Sequence, residues 1–364
     1  MIRVLEIRSM EDGMAVFRFV QAALAVALVL ATPTLVSAGR PRPTGTTVEA
    51  LLALDIRPFA IGHRGSGENH PSRPVENTVE SVRAAFQAGL SVVEIDVQLT
   101  RDGHLVAYHD DVLADFTCIN ALTLREVQAG LPYVPTLEAI LEEARRFNRP
   151  GPALQGLVII ELKAARPLCD PGDHQDRPTV GAAARVVRDM RMTDQVLFTS
   201  FSPAILRLAQ WHAPEIARIL AVSGLQFLGQ AEIEERFDTT VTVIEKEHGL
   251  GLTWAEIGTI FRLPGYRSPE ELLGTALAVE ARVVELDYFL LEASGEALVP
   301  ALHALGLEVL GFTVDHARQW KFLESLDVDG IYTNDIRLGL KRQARFPGSA
   351  DTRRDERLSR ARRR

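Results

Sequence analysis

Charged residues interrupt two apolar segments of the chain at a spacing of two residues. Glu94 and Asp96 stand two apart in one segment, and Glu161 and Lys163 do so in another. In an extended strand the side chains at i and i+2 point to the same side, so each pair aims two charged groups at one place. Burying such groups costs several kcal/mol unless they are paired or bind a metal.

The three carboxylates Glu94, Asp96 and Glu161 suggest a site for one hard divalent cation. Carboxylate oxygens are the ligands that Ca²⁺ and Mg²⁺ prefer. Salt bridges with arginine or lysine are the alternative that the pattern leaves open. Glu285 and Asp287 repeat the same spacing and, taken alone, are as good a pair. Only the residues around each pair in the sequence indicate which pair is the better candidate for the site.

Two histidines, each at the end of an apolar strand, flank the first pair. His63 follows an apolar segment that ends at Gly62, and His109 follows the apolar residues 105–108. A lone histidine is usually structural, but two at strand ends beside a carboxylate pair are seldom so. Histidine can take up and release protons near neutral pH, which suits acid–base catalysis.

Apolar strands alternate with amphipathic helices between residues 56 and 340. Continuous apolar strands of this kind indicate parallel pairing with both faces covered. Eight of them predict a single α/β domain, a (β/α)8 TIM barrel, with a doubly wound sheet as the alternative. Barrel active sites lie at the carboxyl ends of the strands, where the charged residues fall. The predicted strands are 58–62, 91–99 with its continuation 105–108, 157–162, 196–200, 216–222, 283–286, 307–314 and 330–332.

The predicted helices include 78–89, 136–147, 181–190 and one that begins near Pro203. Residues 224–280 fit the alternation least well, and we expect an extra helix or two there.

Composition agrees with a large globular core. Of the 364 residues, 46% are hydrophobic and 24% charged, which excludes a wholly disordered chain and a small disulfide scaffold. The last 24 residues carry a formal charge of +7, so the remaining 340 carry −15. An acidic body argues against nucleic acid as a partner.

Both ends are expected to lie outside the barrel domain, 56–340. The ten-residue apolar run 22–31, followed by Val36-Ser37-Ala38, predicts a signal peptide over 1–38, with 39–55 as a linker. Met14 is an alternative start, and an uncleaved anchor is the alternative interpretation, although the run is shorter than the roughly 20 residues of a spanning helix. The tail 341–364 is expected to be disordered and basic, and to be the one part suited to membrane contact.

Cleavage of that peptide would place the protein in the periplasm or outside the cell. Such a compartment would allow Cys118 and Cys169 to pair, although their spacing leaves two buried thiols equally open. Nothing in the sequence fixes the oligomeric state.

Several short motifs together resemble the glycerophosphodiester phosphodiesterase family. They are Gly62-His63-Arg64-Gly65, Glu76-Asn77-Thr78, Glu94-Ile95-Asp96-Val97 and the stretch from Thr100 to His109-Asp110, with weaker support from Glu161-Leu162-Lys163, Ser200-Phe201-Ser202-Pro203, Phe312-Thr313-Val314-Asp315 and Gly330-Ile331-Tyr332-Thr333-Asn334. The resemblance spans about residues 58–340.

The resemblance implies a barrel that hydrolyses small glycerophosphodiesters to an alcohol and sn-glycerol 3-phosphate with one divalent cation, Ca²⁺ or Mg²⁺. By this resemblance, His63 and His109 match the catalytic acid–base pair, and Arg64 and Lys163 match residues that bind phosphate. Glu94, Asp96 and Glu161 match the metal ligands, and Glu76 matches a glutamate in or beside the metal shell. We assign His63 as base and His109 as acid; water and the glycerol 2-hydroxyl are both open as nucleophile. Phe312 and Asp315 depart from the tryptophan and asparagine common in the family, which bears on the choice of head group.

Two other functions remain open. A lysophospholipase D or sphingomyelinase D would need an apolar rim, which residues Leu225, Phe227, Leu228, Trp254 and Phe261 could supply. A catalytically inactive binding protein on the same barrel would be expected to lack a histidine or carboxylate of the site, and this chain lacks none.

Overall fold

The computed structural model describes residues 47–53, 57–115, 117–148, 155–164, 169–172, 174–227 and 265–343. The predicted signal peptide, most of the linker and nearly all of the basic tail lie outside these ranges. Among the described helices, none has the length and apolar character needed to cross a membrane.

Nine strands and ten α-helices make up the described part of the domain. The strands are β1 Phe59–Gly62, β2 Val92–Leu99, β3 Leu105–Ala107, β4 Leu157–Leu162, β5 Val196–Ser200, β6 Ala217–Val222, β7 Val283–Asp287, β8 Glu308–Phe312 and β9 Gly330–Thr333. The helices are α1 Val48–Leu52, α2 Val79–Ala88, α3 Leu124–Gly130, α4 Leu137–Phe147, α5 Asp176–Asp189, α6 Pro203–His212, α7 Pro269–Ala278, α8 Tyr288–Ala304, α9 Ala317–Ser325 and α10 Ile336–Gln343.

Eight of the strands close into a parallel barrel. The hydrogen-bonded order is β1-β9-β8-β7-β6-β5-β4-β2, and β1 also pairs with β2. β3 lies outside the closed ring and pairs antiparallel with β2. The closed ring confirms the (β/α)8 barrel and excludes the doubly wound sheet, which has two open edges.

Alternate residues of each strand divide the core into two layers. One layer packs against the helices, and the other fills the barrel interior with an apolar cluster: Phe59, Ile61, Val92, Leu157, Ile159, Leu197, Ile219, Val283, Leu310 and Tyr332. Continuing the two-residue period along these strands reaches His63, Glu94 and Asp96, and Glu161 and Lys163. The register that buries the apolar interior therefore also brings the charged groups together at the carboxyl end.

Helix α2 positions the segment Glu76-Asn77-Thr78 at that end. The Thr78 side chain caps the helix by accepting the Ser81 N–H at 3.1 Å. The helix ends at Gly89, where φ is 109°, a left-handed value that glycine adopts without strain. Both ends agree with the sequence prediction.

The bounds of some elements differ from those expected. Helix α5 begins five residues before the predicted 181, since the Gln175 N–H is held by Asp170 Oδ2 at 2.7 Å. Helix α3 was not predicted; it begins with a capping box between Thr123 and Glu126, a pattern visible in the sequence. Between 224 and 280 the structure describes a short 3-10 turn at 224–227 and helix α7; residues 228–264 are outside the described ranges.

Candidate active site

Three carboxylates converge at the carboxyl ends of β2 and β4. One ligand oxygen from each of Glu94, Asp96 and Glu161 lies within 4.8 Å of the others. Asp96 and Glu161 are direct neighbours across the two strands. Glu94 and Asp96 are buried, and Glu161 is largely so. The spacing predicted from sequence thus brings these oxygens within reach of one ion.

Asp96 is surrounded by donors. Lys163 Nζ lies 2.8 Å from Asp96 Oδ1, Asn77 Nδ2 donates to Oδ2 at 2.9 Å, and Arg64 Nε is 3.5 Å from Oδ2. Burial alone would raise the pKa of this carboxyl. The nearby Lys163 ammonium, together with His109 and Arg64, instead holds the pKa of Asp96 well below its usual range. Asp96 is therefore ionised at neutral pH.

Glu94 and Glu161 are less well neutralised. Glu94 Oε2 accepts the Arg64 backbone N–H at 2.9 Å, while Oε1 is buried without a hydrogen-bond partner. Burial and the charges of Asp96 and Glu161 raise the pKa of Glu94 well above its usual value. Burial likewise raises the pKa of Glu161 to about 7, although Lys163 Nζ lies 2.8 Å away. The raised pKa values show that these two carboxylates have too little positive charge beside them. Together with the unpartnered oxygen of Glu94, they fit a site that binds a cation.

Arg64 lies between the cluster and Glu76. Its Nη1 donates to Glu76 Oε1 at 2.9 Å, and the second oxygen of Glu76 accepts the Asn69 N–H at 2.8 Å. The structure thus places Glu76 against the guanidinium of Arg64 rather than among the three clustered carboxylates. If these four carboxylates were all ionised, their negative charges would exceed the positive charges of Arg64 and Lys163 by two.

Tight glycine packing holds the segment that carries His63 and Arg64. A Cβ on Gly62 would lie 2.0 Å from the Gly65 carbonyl oxygen, and Gly65 itself has φ of 90°. Arg64 also adopts a left-handed backbone, with φ of 50°. The turn that carries His63 and Arg64 therefore needs glycine at both 62 and 65.

His63 is largely buried and hydrogen-bonded. Its Nδ1 lies 2.9 Å from Asn334 Oδ1. Burial, helped by the charge of Arg64, lowers the pKa of His63 to about 4. The imidazole is therefore neutral near pH 7, as a general base must be.

His109 lies on the loop that follows β3. Its Nδ1 is 2.7 Å from Asp110 Oδ1, and its backbone carbonyl accepts Gln98 Nε2 at 3.1 Å. The Tyr108 N–H donates to the Asp96 carbonyl at 3.1 Å, which ties this loop to the strand of the carboxylate pair. Because Asp110 takes the Nδ1 side, Nε2 is the nitrogen that can face a substrate.

The competing pair, Glu285 and Asp287, has other partners. Glu285 accepts Thr199 Oγ1 at 2.8 Å and the Tyr332 hydroxyl, deep in the barrel, and burial raises its pKa to about 7. Asp287 caps helix α8 by accepting the Leu290 N–H at 2.6 Å. Among the described residues, the one group suited to a metal consists of Glu94, Asp96 and Glu161, without Glu285.

A disulfide borders the site. Cys118 and Cys169 are bonded, with Cα atoms 5.6 Å apart, which answers the question that their spacing left open. The bond joins the loop that carries His109 to the segment that follows Lys163. A small cleft beside it is lined in part by Asp111, Asn120 and Lys163.

Aromatic side chains lie at the same end of the barrel. The ring of Phe312 makes edge contacts with Phe201 and Tyr332, with centroids 5.8 and 6.3 Å apart. Of the five residues proposed for an apolar rim, Phe227 packs against Tyr266. The side chains of Leu225, Leu228, Trp254 and Phe261 are outside the described part of the structure.

The sequence predicted no role for Asn77 or Asn334, and for Asp315 it pointed only to the choice of head group. Asn77 exchanges two hydrogen bonds with Asp96, and Asn334 links His63 to Asp315. Asn77 and Asn334 do fall inside the motifs noted above. Their partners lie 19 residues or more away along the chain, and only the closed barrel brings them together.

Residues 63–338 match the model of the glycerophosphoryl diester phosphodiesterase family. The chain belongs to this family. A glycerophosphodiester phosphodiesterase of Caldanaerobacter subterraneus is 28% identical over 176 residues, 44% of this chain and 65% of that protein. One from Bacillus altitudinis is 25% identical over 75% of this chain and 93% of its own length.

A solved phosphodiesterase structure has the same fold. The Oleispira antarctica phosphodiesterase, in complex with the product sn-glycerol-3-phosphate, superposes with a TM-score of 0.54 at 22% identity, over 78% of this chain and 96% of its own. The chain therefore has the same barrel fold as a protein whose structure contains that product.

Proposed function

We propose that the protein hydrolyses small glycerophosphodiesters to an alcohol and sn-glycerol 3-phosphate in a reaction that depends on a divalent cation. The observation that carries the proposal is the arrangement at one end of the barrel: three clustered carboxylates, two fixed cations and two histidines. Family membership and the product complex of the Oleispira antarctica relative support it.

Glu94, Asp96 and Glu161 would hold one Ca²⁺ or Mg²⁺. The unpartnered Glu94 Oε1 and the excess of negative charge both fit such an ion. When bound, it offsets negative charge that builds up on the phosphoryl oxygens. Arg64 and Lys163 add fixed positive charge for a phosphate, which is anionic already in the ground state.

The two histidines move the protons. His63, neutral near pH 7, takes a proton from the attacking hydroxyl, and His109 gives one to the oxygen of the departing alcohol. The attacking group is either a water molecule, which gives sn-glycerol 3-phosphate directly, or the glycerol 2-hydroxyl, which gives a cyclic phosphate that water must then open. Either group presents an O–H proton to the base. In-line displacement needs a base on the side of the attacking group and an acid on the opposite side of the phosphorus, beside the leaving group.

An assay of the purified protein tests the proposal. Glycerophosphocholine and glycerophosphoethanolamine should be hydrolysed, EDTA should stop the reaction, and added Ca²⁺ or Mg²⁺ should restore it. Preferential turnover of lysophosphatidylcholine would instead favour a lysophospholipase D. Full activity without any metal would contradict the assignment of Glu94, Asp96 and Glu161, and binding without turnover would favour an inactive binding protein.

We further propose that the protein acts in the periplasm or outside the cell after removal of residues 1–38. The Cys118–Cys169 disulfide supports this location, because such bonds persist in oxidising compartments. N-terminal sequencing of the exported protein should begin at Gly39. A mature chain that retains residues 22–31 in the membrane fraction would show an anchor instead. The tail, with its charge of +7, is the part we propose for contact with anionic lipid.

A further inference from the structure

Hydrogen bonds connect Asp315 to His63 through Asn334. These three residues follow three neighbouring barrel strands, β8, β9 and β1. The Asn334 side chain is buried, and its Oδ1 lies 2.9 Å from His63 Nδ1. Its Nδ2 and its backbone N–H donate to the two oxygens of Asp315 at 2.9 and 2.7 Å. Asp315 thus holds both the backbone and the side chain of the residue that contacts the histidine.

The partners of Asn334 fix the orientation of its amide. A carboxylate can only accept, so the NH₂ group must face Asp315. The Glu68 backbone N–H can only donate, and it lies 2.9 Å from Asn334 Oδ1. Gly67, with φ of 114°, lets this loop come close, since a Cβ there would lie 2.4 Å from the Asn334 carbonyl oxygen. A rotated amide would lose both hydrogen bonds.

This orientation decides which nitrogen of His63 carries the proton. Because an oxygen faces Nδ1, Nδ1 must donate. The other group near Nδ1, Glu68 Oε1 at 3.7 Å, is also an acceptor. The neutral imidazole then carries its hydrogen on Nδ1 and its lone pair on Nε2. In that state Nε2 can accept a proton but has none to give.

We propose that Asp315 is a positioning residue that acts through Asn334 to fix His63 in the Nδ1–H tautomer, which makes His63 the general base. The inference rests on the proposed function, although the tautomer itself can be observed without any substrate. An asparagine at 315 would offer one acceptor oxygen where two Asn334 N–H groups need one each. The amide of Asn334 would then be held only by the Glu68 N–H, and the Nδ1–H tautomer of His63 would be less strongly fixed.

Nitrogen NMR tests the tautomer directly. In full-length protein labelled with ¹⁵N-histidine, with the His63 signals assigned from a His63→Gln variant, we expect a protonated Nδ1 and a bare Nε2 at neutral pH. Asp315→Asn should populate the Nε2–H form. The matched control is Asp335→Asn, since Asp335 Oδ1 accepts the Leu338 N–H instead and asparagine also caps helices. Wild-type His63 protonated at Nε2, or no change in Asp315→Asn, would overturn the proposal.

Kinetics test the consequence for catalysis. Loss of a residue that orients a functional histidine typically costs 10–100-fold, so we expect Asp315→Asn to lower kcat by about that factor with little change in KM. A p-nitrophenyl phosphodiester has a leaving group that needs no proton. On this substrate the His109→Ala variant should regain activity close to that of the wild type, while the His63→Ala and Asp315→Asn variants should not. Recovery of Asp315→Asn would show that His63 is not the base. If the wild type hydrolysed no glycerophosphodiester, the proposed function would fail and the NMR result would still decide the tautomer.

Discussion

At the scale of single residues, the negative charges and hydrogen-bond acceptors of the site are only partly matched by positive charges and donors. Asp96 is matched by Lys163, Arg64 and Asn77, whereas Glu94 keeps one buried oxygen without a partner. Such an imbalance is costly in a folded protein unless a ligand removes it. We therefore expect the carboxylates to couple folding stability to cation binding.

Removal of one clustered carboxylate should abolish that coupling. We expect Glu94→Gln, Asp96→Asn and Glu161→Gln each to eliminate activity and the rise in melting temperature that Ca²⁺ or Mg²⁺ produces in the wild type. Thermal unfolding with and without the metal measures the second effect. Glu285→Gln is the control, because Glu285 is equally buried but bonded to Thr199 and Tyr332, and it should keep both properties. Metal-induced stabilisation that survives in Glu94→Gln would contradict the site.

The lowered pKa of His63 predicts an unusual pH profile. A base must be neutral, and burial together with Arg64 lowers the pKa of this histidine to about 4. Activity should therefore persist below the ordinary histidine value of about 6.5 and fall as the pH drops through about 4. The profile of kcat/KM at saturating metal measures this limb, since it reports the free enzyme. The His109→Ala variant, assayed on the p-nitrophenyl diester, should show the same acidic limb; a limb near 6.5 in the wild type would argue that His63 is not the base.

Residue type and spacing were sufficient to predict from the sequence which charged groups cluster at this end of the barrel. Glu94, Asp96, Glu161 and Lys163 stand out because charges at i and i+2 in an apolar strand need an explanation. Asp315 lies in one of the family motifs, but nothing in the sequence connects it with His63. Its role depends on Asn334, 19 residues away, and on a hydrogen-bond geometry that no local pattern encodes.

At the scale of elements, the strands were easier to predict than the loops. β4 and β5 were predicted with the observed bounds because uninterrupted apolar residues leave few other structures. The first turn of α5 was missed because its start depends on Asp170 in the preceding loop. The loops that carry His109 and follow Lys163 are held by a covalent bond that spacing alone could not reveal.

The disulfide should matter more for the position of His109 than its place at the rim suggests. It closes a sequence separation of 51 residues, for which a crosslink contributes about 2–4 kcal/mol to the free energy of unfolding. We expect the double variant Cys118→Ser, Cys169→Ser to lose about this much stability in urea and to show a lower kcat. Reduction of the wild type should reproduce both effects, whereas dithiothreitol should not alter the double variant. Unchanged kcat after full reduction would show that the loop keeps its place without the bond.

At the scale of the whole molecule, stability and catalysis occupy opposite ends of the barrel. At the amino end, the buried Asp329 accepts hydrogen bonds from the Val309 N–H at 2.7 Å and from His303 Nε2 at 2.8 Å. It also forms an ion pair with Arg57 at 2.7 Å. Burial would raise the pKa of Asp329, but His303 and Arg57 hold it below its usual value. Its stabilising effect is therefore complete above the pKa of an unfolded aspartate and is lost as the pH falls toward the lower folded value.

Asp329→Ala should separate the two properties. Removing one partner of a buried ion pair costs about 3–5 kcal/mol, so the urea midpoint should fall substantially. Because Asp329 lies at the opposite end of the barrel from the clustered carboxylates, His63 and His109, kcat at a temperature where the variant is folded should stay close to that of the wild type. Glu215→Ala, which removes the exposed ion pair with Arg188, is the control and should cost about 1 kcal/mol or less. A large loss of kcat in folded Asp329→Ala would contradict the separation.

The pairing of β1 with β9 has a consequence for how the protein acquires activity during its synthesis. His63 and the Asn334 that orients it are 271 residues apart, directly after the first and last strands of the ring. A nascent chain that has emerged as far as β8 already contains every proposed metal ligand and both histidines, but nothing holds the base in its working form. Hydrolysis should therefore begin only when the last strand leaves the ribosome or the export channel. A precursor that is still being threaded would leave the lipids and metabolites around it intact.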